Sequence, residues 1–509
     1  MKRMIRMLCP AVVAALLVMP APAVLVSENP DPFQAQMERI GDLQEQGRLE
    51  EADALVKKAL AGEGLTADQQ AALNFELERS RRIRGDYTLS EDELFEALKD
   101  AERGIPDLTR EEFDAWVREG RFDMKTIGGE RRFFSPSRSN LFFRWPELRA
   151  RKAKPAGTEY ERFLLKHVRE IKAAWRRDAQ ITVPPHRFWL TMRISVDAGA
   201  VPEGETIRCW MPYAQQFSAQ GAVELLEASP EPLWMNAPTW PQRSLYFEQP
   251  SRGAEPTVFE ATWEMSVWPR WTPLDPARVA EATQALAGGF ADPAAAHFLE
   301  EQPPHVVFTP EILRLEAEIA GTETNPCIKA RRYYDWISRN IKYSFAREYS
   351  TLRNISMYVY NNRYGDCGQI ALLFITLCRA GGVPARWQSG WMLYPMNKNL
   401  HDWTEIYLEP YGWIPVDPNH GVETVSVMEG LTDEERAELR DFYFGGMDAY
   451  RLVVNRDHGF PHFPPKRDWR SDTVDFQRGE LETAGGKNIY FDQFSYRLTV
   501  EELPPPSGK

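Results

Sequence analysis

From residue 31 to about 130, apolar positions recur at steps of three and four, the signature of amphipathic helices. Leu49 to Leu60 carries one such stripe, and Gly62 and Gly64 stop it. Thr66 reads as an N-cap before Ala67-Asp68. Ser90-Glu91-Asp92-Glu93 matches a capping box ahead of Leu94 and Phe95, and Thr109 with Arg110-Glu111-Glu112 repeats the pattern. No fixed-period repeat is visible. Residues 133–157, with Pro136, Pro146 and Pro155, read as a loop-rich connector, followed by a polar helix from Glu159 to Arg177. Between about 185 and 272 the period shortens towards two. Phe188 to Val196, Thr206 to Met211 and Thr257 to Val267 read as strands, separated by turns such as Pro202-Glu203-Gly204. This predicts an antiparallel β domain, a structural sandwich by default.

Helices return at Thr309, with Pro310 at a first helical position and a second helix from Asn325-Pro326 to Asn340. A capped helix, several strands, a helix at about 432–442 and late strands from Thr473 to Val500 follow. The fold class expected is α+β and multidomain: a helical domain at 24–155, a helix plus antiparallel β domain at 156–275, and an α+β core at 295–509 with the late strands attached.

The first residues carry an address. Lys2, Arg3 and Arg6 precede the apolar run Leu8 to Val18, and Ala21-Pro22-Ala23 offers small residues for cleavage. Residues 1–23 read as a signal peptide and the mature chain as exported, periplasmic or extracellular, without membrane insertion. An N-terminal anchor is the alternative. Charge adds an exclusion: 61 Lys+Arg against 74 Asp+Glu gives −13, so nucleic acid is not an expected partner. Past the signal, Cys209, Cys327, Cys367 and Cys378 are too few for a disulfide scaffold, and no C-x-x-C pair suggests zinc.

One of these cysteines sits where chemistry is favoured. Asp366 is an N-cap candidate, and Gln369 stands where a capping box would reach back. Cys367, Ile370, Leu373, Phe374, Leu377 and Gly381 form one helical stripe, which Gly381-Gly382 and Pro384 end. Free N–H groups and the positive end of the helix dipole favour a thiolate at Cys367, against the opposing charge of Asp366. His401 to Leu408 reads as a strand, and Gly412 to Asp417 as its hairpin partner. With the loop centred on Glu409, His401 falls directly opposite Asp417, which suits a carboxylate orienting an imidazole. Centring the loop between Pro410 and Tyr411 loses that alignment. Singly, each residue has an ordinary structural reading; the combination is far more specific.

Three segments resemble the transglutaminase-like superfamily, which shares the papain-like cysteine-enzyme fold. They are Arg363-Tyr364-Gly365-Asp366-Cys367 with its helix and the ending Arg379-Ala380-Gly381-Gly382-Val383-Pro384-Ala385-Arg386, His401-x-Trp403-x-Glu405, and Gly412-Trp413-x-Pro415-x-Asp417-Pro418. The resemblance covers about 310–420, and the β domain is similar to the sandwich preceding this core in some exported bacterial members. It implies Cys367 as nucleophile, His401 as general base and acid, and Asp417 as its orienting partner. Two positions depart. Gly368 stands where animal transglutaminases carry Trp, and Asp402 stands where a small residue is common, its side chain expected to point away from His401. No calcium-loop pattern is present, and no metal or cofactor is expected.

The expected activity is therefore cleavage or transfer of the acyl group of a peptide or protein amide through a Cys367 thioester, with hydrolysis favoured. Tyr343, Tyr358 and Tyr360 are candidates for a second oxyanion donor. The alternative is a non-catalytic peptide- or glycan-binding scaffold on the same fold. Deglycosylation is disfavoured by the missing cysteine pairs. His458 and His462 are separated by helix breakers and read as no metal pair, Cys378 as core, and Arg353, Arg363 and Arg386 as surface residues that could meet a substrate carboxylate. Substrate identity, oligomeric state and the role of the helical region have no signal in the sequence.

Overall fold

A computed structural model describes residues 31–152, 154, 157–178, 185–287 and 289–504. The proposed signal peptide lies outside them. The N-terminal helices form as their caps dictate: Thr66 with Gln69 and Ser90 with Glu93 make reciprocal capping boxes at the starts of Ala67–Asp86 and Glu91–Leu98. The helical pattern conceals a hairpin, Met124–Ile127 with Glu130–Phe133. The expected connector also contains a helix, Ser137–Arg144, whose short amphipathic run is obscured by the flanking prolines.

Two sheets build the sandwich. The strand His186–Val196 pairs with Thr257–Val267 on one side and Phe494–Leu503 on the other. Thr206–Pro212 pairs with Ser244–Pro250 and with Glu480–Thr483. The late strands, which the sequence order attaches to the core, thus hydrogen-bond into both sandwich sheets, and they begin at Glu480 rather than Thr473. Their alternation is equally good for either sheet, so sequence alone could not assign them.

Between these strands the chain makes a four-stranded antiparallel sheet, in the order Gly412–Val416, Asn397–Leu408, Ala385–Tyr394, Arg451–Asn455. The helix Cys367–Ala380 packs on one face, where Trp387, Ile406, Leu408 and Val416 join its buried stripe. Trp403 points to the other face and shares a hydrophobic cluster with the sandwich residues Leu190 and Trp263. Residues 368–379 of the helix are all buried. Each of its large apolar side chains contributes about 1.5–3 kcal/mol by leaving water, which fixes the helix axis and hence its N-terminus.

The N-terminal helices dock on the core through arginines, of which Arg347 is buried. Arg347 meets Glu45 at 3.0 Å, Arg353 meets Glu76 at 3.0 Å, and Arg79 donates to the Ser350 carbonyl at 2.7 Å. Arg353 is thereby an anchor between regions, not a free surface charge.

Candidate active site

Cys367 is the first residue of its helix and half-buried in a cleft of about 260 Å3. Its backbone N–H belongs to the helix's unpaired first turn. Asp366 caps that turn, accepting from the Gln369 backbone at 3.0 Å. The reciprocal half of the expected capping box does not form. Tyr349 donates to Asp366 at 2.8 Å instead, and the buried Gln369 amide keeps both polar atoms without a partner among the described residues. Tyr343 also lines the cleft, whereas Tyr358 lines a different cavity and Tyr360 stacks on Arg363.

The carboxyl nearest the sulfur is Asp402. The Cys367 thiol donates to Asp402 Oδ2 at 3.3 Å, and Gln477 Nε2 donates to Asp402 Oδ1 at 2.6 Å and to the His401 carbonyl at 2.8 Å. A Cβ added to Gly368 would lie 2.2 Å from the Tyr349 hydroxyl and 2.6 Å from Asp402 Oδ2. The two departures from the family pattern are therefore one steric unit: the carboxyl at 402 occupies space that only glycine at 368 leaves open. Asp402 does point away from His401, and that direction takes it to the thiol, which no local pattern in the sequence announces. Asp475 and Asp472 border the same cleft. Burial first, then Asp475 and Asp366, push the Asp402 carboxyl well above its ordinary value. Burial, Asp402 and Asp366 likewise raise the Cys367 thiol, overriding the helix terminus.

His401 faces the other side of the strand. Its Nε2 lies 2.8 Å from Asp417 Oδ2, leaving Nδ1 without a hydrogen-bond partner among the described residues. The hairpin pairs Thr404 with Val416 and Leu408 with Gly412, so its loop centres on Pro410. The expected direct opposition is corrected to a diagonal one on a shared face, across which side chains still meet. Gly412, at φ 75°, takes the left-handed position that ends this three-residue loop. Gly412–Val416 pairs no further than Thr404, so beside His401 the strand edge is covered by Asp417 and the helix Pro418–Ser426 that Asp417 caps.

Asp417 is held from three directions: His401, His420 Nδ1 at 3.0 Å and Arg451 Nη1 at 3.1 Å. Burial would raise its carboxyl, but His420, His401 and Arg451 outweigh that and hold it well below the usual range. Burial lowers His401 to about 4 in spite of Asp417, so the imidazole is a neutral base at neutral pH. Donor atoms of His401, Asp417 and His420 lie within 4.8 Å of one another, a cation-ligand spacing. The Arg451 guanidinium on the same carboxylate oxygen already supplies the positive charge, and the cluster reads as an ion-pair network. Among the described residues no hydrogen bond joins the thiol to the imidazole; each has its own carboxyl.

Sequence reasoning passes over His420, Arg451 and Gln477. His420 has a signal, three residues into the helix that Asp417 caps. Arg451 and Gln477 have none, being brought in by tertiary contacts. Arg386 forks onto Glu405 at 2.6 and 2.8 Å, and His458, His462 and Cys378 are buried.

A Haemophilus influenzae protein, itself uncharacterized, is 24% identical over 192 residues, covering 32% of this chain and 50% of that protein. Bacillus subtilis YebA, also uncharacterized, is 24% identical over 132 residues, or 22% of this chain and 18% of YebA. The chain thus spans half or less of these curated relatives. A candidate cysteine protease structure from Cytophaga hutchinsonii gives a TM-score of 0.39 at 14% identity, over 63% of this chain and 91% of that one. The periplasmic domain of TgpA from Pseudomonas aeruginosa gives 0.26 at 13%, over 52% and 94%. Both scores lie below 0.5, and the chemistry of the site rests on neither. Residues 314–418 match the model of the transglutaminase-like superfamily, and the Cys367 helix, the His401 strand and the Asp417 turn lie inside that span.

Proposed function

We propose that the protein is an exported cysteine enzyme that hydrolyses peptide or protein amides. The observation that carries this reading is a half-buried cysteine at a helix N-terminus, in contact with Asp402, whose preceding residue in the strand, His401, is an imidazole bound to a carboxylate at 2.8 Å. In the proposed reaction the thiol gives its proton to His401 Nδ1, which must first turn towards the sulfur because the resting imidazole lies on the opposite face of the strand from Asp402 and the thiol; sulfur then attacks the amide carbonyl, forming the C–S bond. The oxyanion lies at the Cys367 backbone N–H, a donor worth roughly 10²–10³ in rate. The C–N bond then breaks as the imidazolium returns its proton to the leaving amine. Water, deprotonated by His401, cleaves the thioester to a carboxylic acid and restores the thiol. Asp417 holds the imidazole in one tautomer throughout. Export is supported by the signal-like first residues; among the described residues no helix is long and apolar enough to cross a membrane.

Amine release from a peptide library by wild type and by Cys367→Ala tests the reaction. Loss in the variant is expected; equal release by both rejects it. The thiol's hydrogen bond to Asp402 favours a second reading, a binding protein whose cysteine rests as an inert thiol. Iodoacetamide that labels Cys367 no faster than the buried Cys378 in the native protein would select that reading.

A further inference from the structure

A cavity of about 610 Å3 lies between the N-terminal helices and the core, and its charge runs against that of the chain. The protein carries −13 overall, yet this cavity is lined by Lys125, Arg144, Lys342, Arg347 and Arg363 against only Glu45 and Asp123. Both carboxylates are already engaged. Glu45 accepts from Arg347 at 3.0 Å and Lys125 at 3.2 Å, and Asp123 binds Arg144 and the Tyr364 hydroxyl. Lys342 donates to the Arg144 carbonyl, and neither Lys342 nor Arg363 forms a salt bridge among the described residues. Arg347 is 3% exposed, and its Nε has no hydrogen-bond partner among the described residues. Burial and the Arg347 guanidinium lower the Lys125 ammonium, as expected where positive charge is in excess. Aromatic faces complete the walls; Arg144 lies 3.4 Å over the Tyr364 ring.

The wall between this cavity and the Cys367 cleft is a two-stranded parallel ribbon, Lys342–Tyr343 against Tyr364–Gly365. Alternation along it sends Lys342 and Tyr364 into the cavity and Tyr343 towards the cleft. The nucleophile comes two residues after the ribbon. Arg347 lines both spaces, so a chain lying across Arg347 reaches from one into the other. The volume suits a few residues of extended peptide.

We propose that this cavity is the subsite for carboxylate groups of the peptide substrate, taken by Arg363, Lys342 and Arg347, while the scissile amide lies at Cys367. The inference rests on the amide-cleaving reading and gives its substrate class: peptides with an acidic side chain or a free C-terminal carboxylate next to the cleaved bond. It also gives the helical region a task, since that region supplies Lys125, Arg144 and Trp145 to the walls.

The test is calorimetric titration of the full chain carrying Cys367→Ala with four otherwise identical hexapeptides: Glu or Gln at one position, each with a free or an amidated C-terminus. At least one carboxylate peptide is expected to bind tenfold or more tighter than the Gln amide. Arg363→Gln should remove most of that preference. Lys342→Gln, at an exposed residue whose amide can still donate to the Arg144 carbonyl, should weaken it severalfold. The Glu amide and the Gln free acid distinguish side-chain from terminal carboxylate. Equal binding of all four peptides, a preference that survives both variants, or tighter binding of inorganic phosphate than of every peptide overturns the proposal. Preferred binding without amine release by wild type would sink the cleavage reading alone. Release without any carboxylate preference would sink the subsite alone.

Discussion

Asp402 and Asp417 are both buried carboxyls within reach of one strand, at 2% and 0% exposure, and their acidities move in opposite directions. Asp402 is surrounded by neutral donors and other acids: the Cys367 thiol, Gln477, Tyr349, Asp366 and Asp475. Asp417 has two imidazoles and the Arg451 guanidinium. Burial penalises both anions alike, so the partners decide the sign. The strand's two-residue period thus separates a proton-holding centre at the thiol from an anion-holding centre at the imidazole.

The largest effect expected from breaking this contrast is at the anionic centre. Asp417→Asn removes the charge that orients His401 and should lower kcat by about 10³–10⁴ with the fold retained, as read by single-turnover kinetics. An unchanged rate would mean that His401 is not the base. Wild-type kcat/KM should keep its value on acidification well past the ordinary histidine range and fall only near pH 4, because burial holds His401 at about 4. In active Asp417→Asn protein that limb should move lower still, since the anion supporting the imidazolium is gone. A limb at 6.5 would contradict the buried neutral base.

At the proton-holding centre, Gly368→Ala should cost about 1–3 kcal/mol in urea unfolding, because its Cβ meets Asp402 and Tyr349. Adding Asp402→Ala should return part of that loss; strictly additive effects would dissolve the steric unit. The smallest effect belongs to Asp402→Asn. Asp402 holds its proton more tightly folded than unfolded. Its contribution to stability is complete below the unfolded value of 3.8 and is lost as pH rises through the higher folded value. The wild-type Tm should therefore fall more steeply than the variant's as pH rises above 3.8, by roughly 2–4 °C. Asp366 at about 6 and Asp475 at about 7 repel Asp402 and titrate with it, so the difference between melts reads this acidic cluster as a unit. Parallel curves would show Asp402 ionised throughout.

How much of the molecule is legible in the sequence depends on the range of each interaction. The Cys367 helix can be read because its cap, apolar stripe and glycine stop are all local. The hairpin carrying His401 and Asp417 is visible, but its register depends on which loop residue is central, and a three-residue loop around Pro410 makes their pairing diagonal. Gly368 and Asp402 stand out separately in the sequence and are linked only where helix meets strand. Gln477 and Arg451 arrive from remote segments, and no local pattern announces such partners.

The strand Phe494–Leu503 pairs with residues Arg187 to Val196 of His186–Val196, and the whole core is threaded between them. Closing a sheet across so long an intervening segment carries a large loop-entropy cost and slows folding. The same closure ties the two regions mechanically. A protease nick or a truncation at Glu480 would strip strands from both sandwich sheets and loosen the support beneath Trp403, so loss of the tail should be felt at the imidazole beside it.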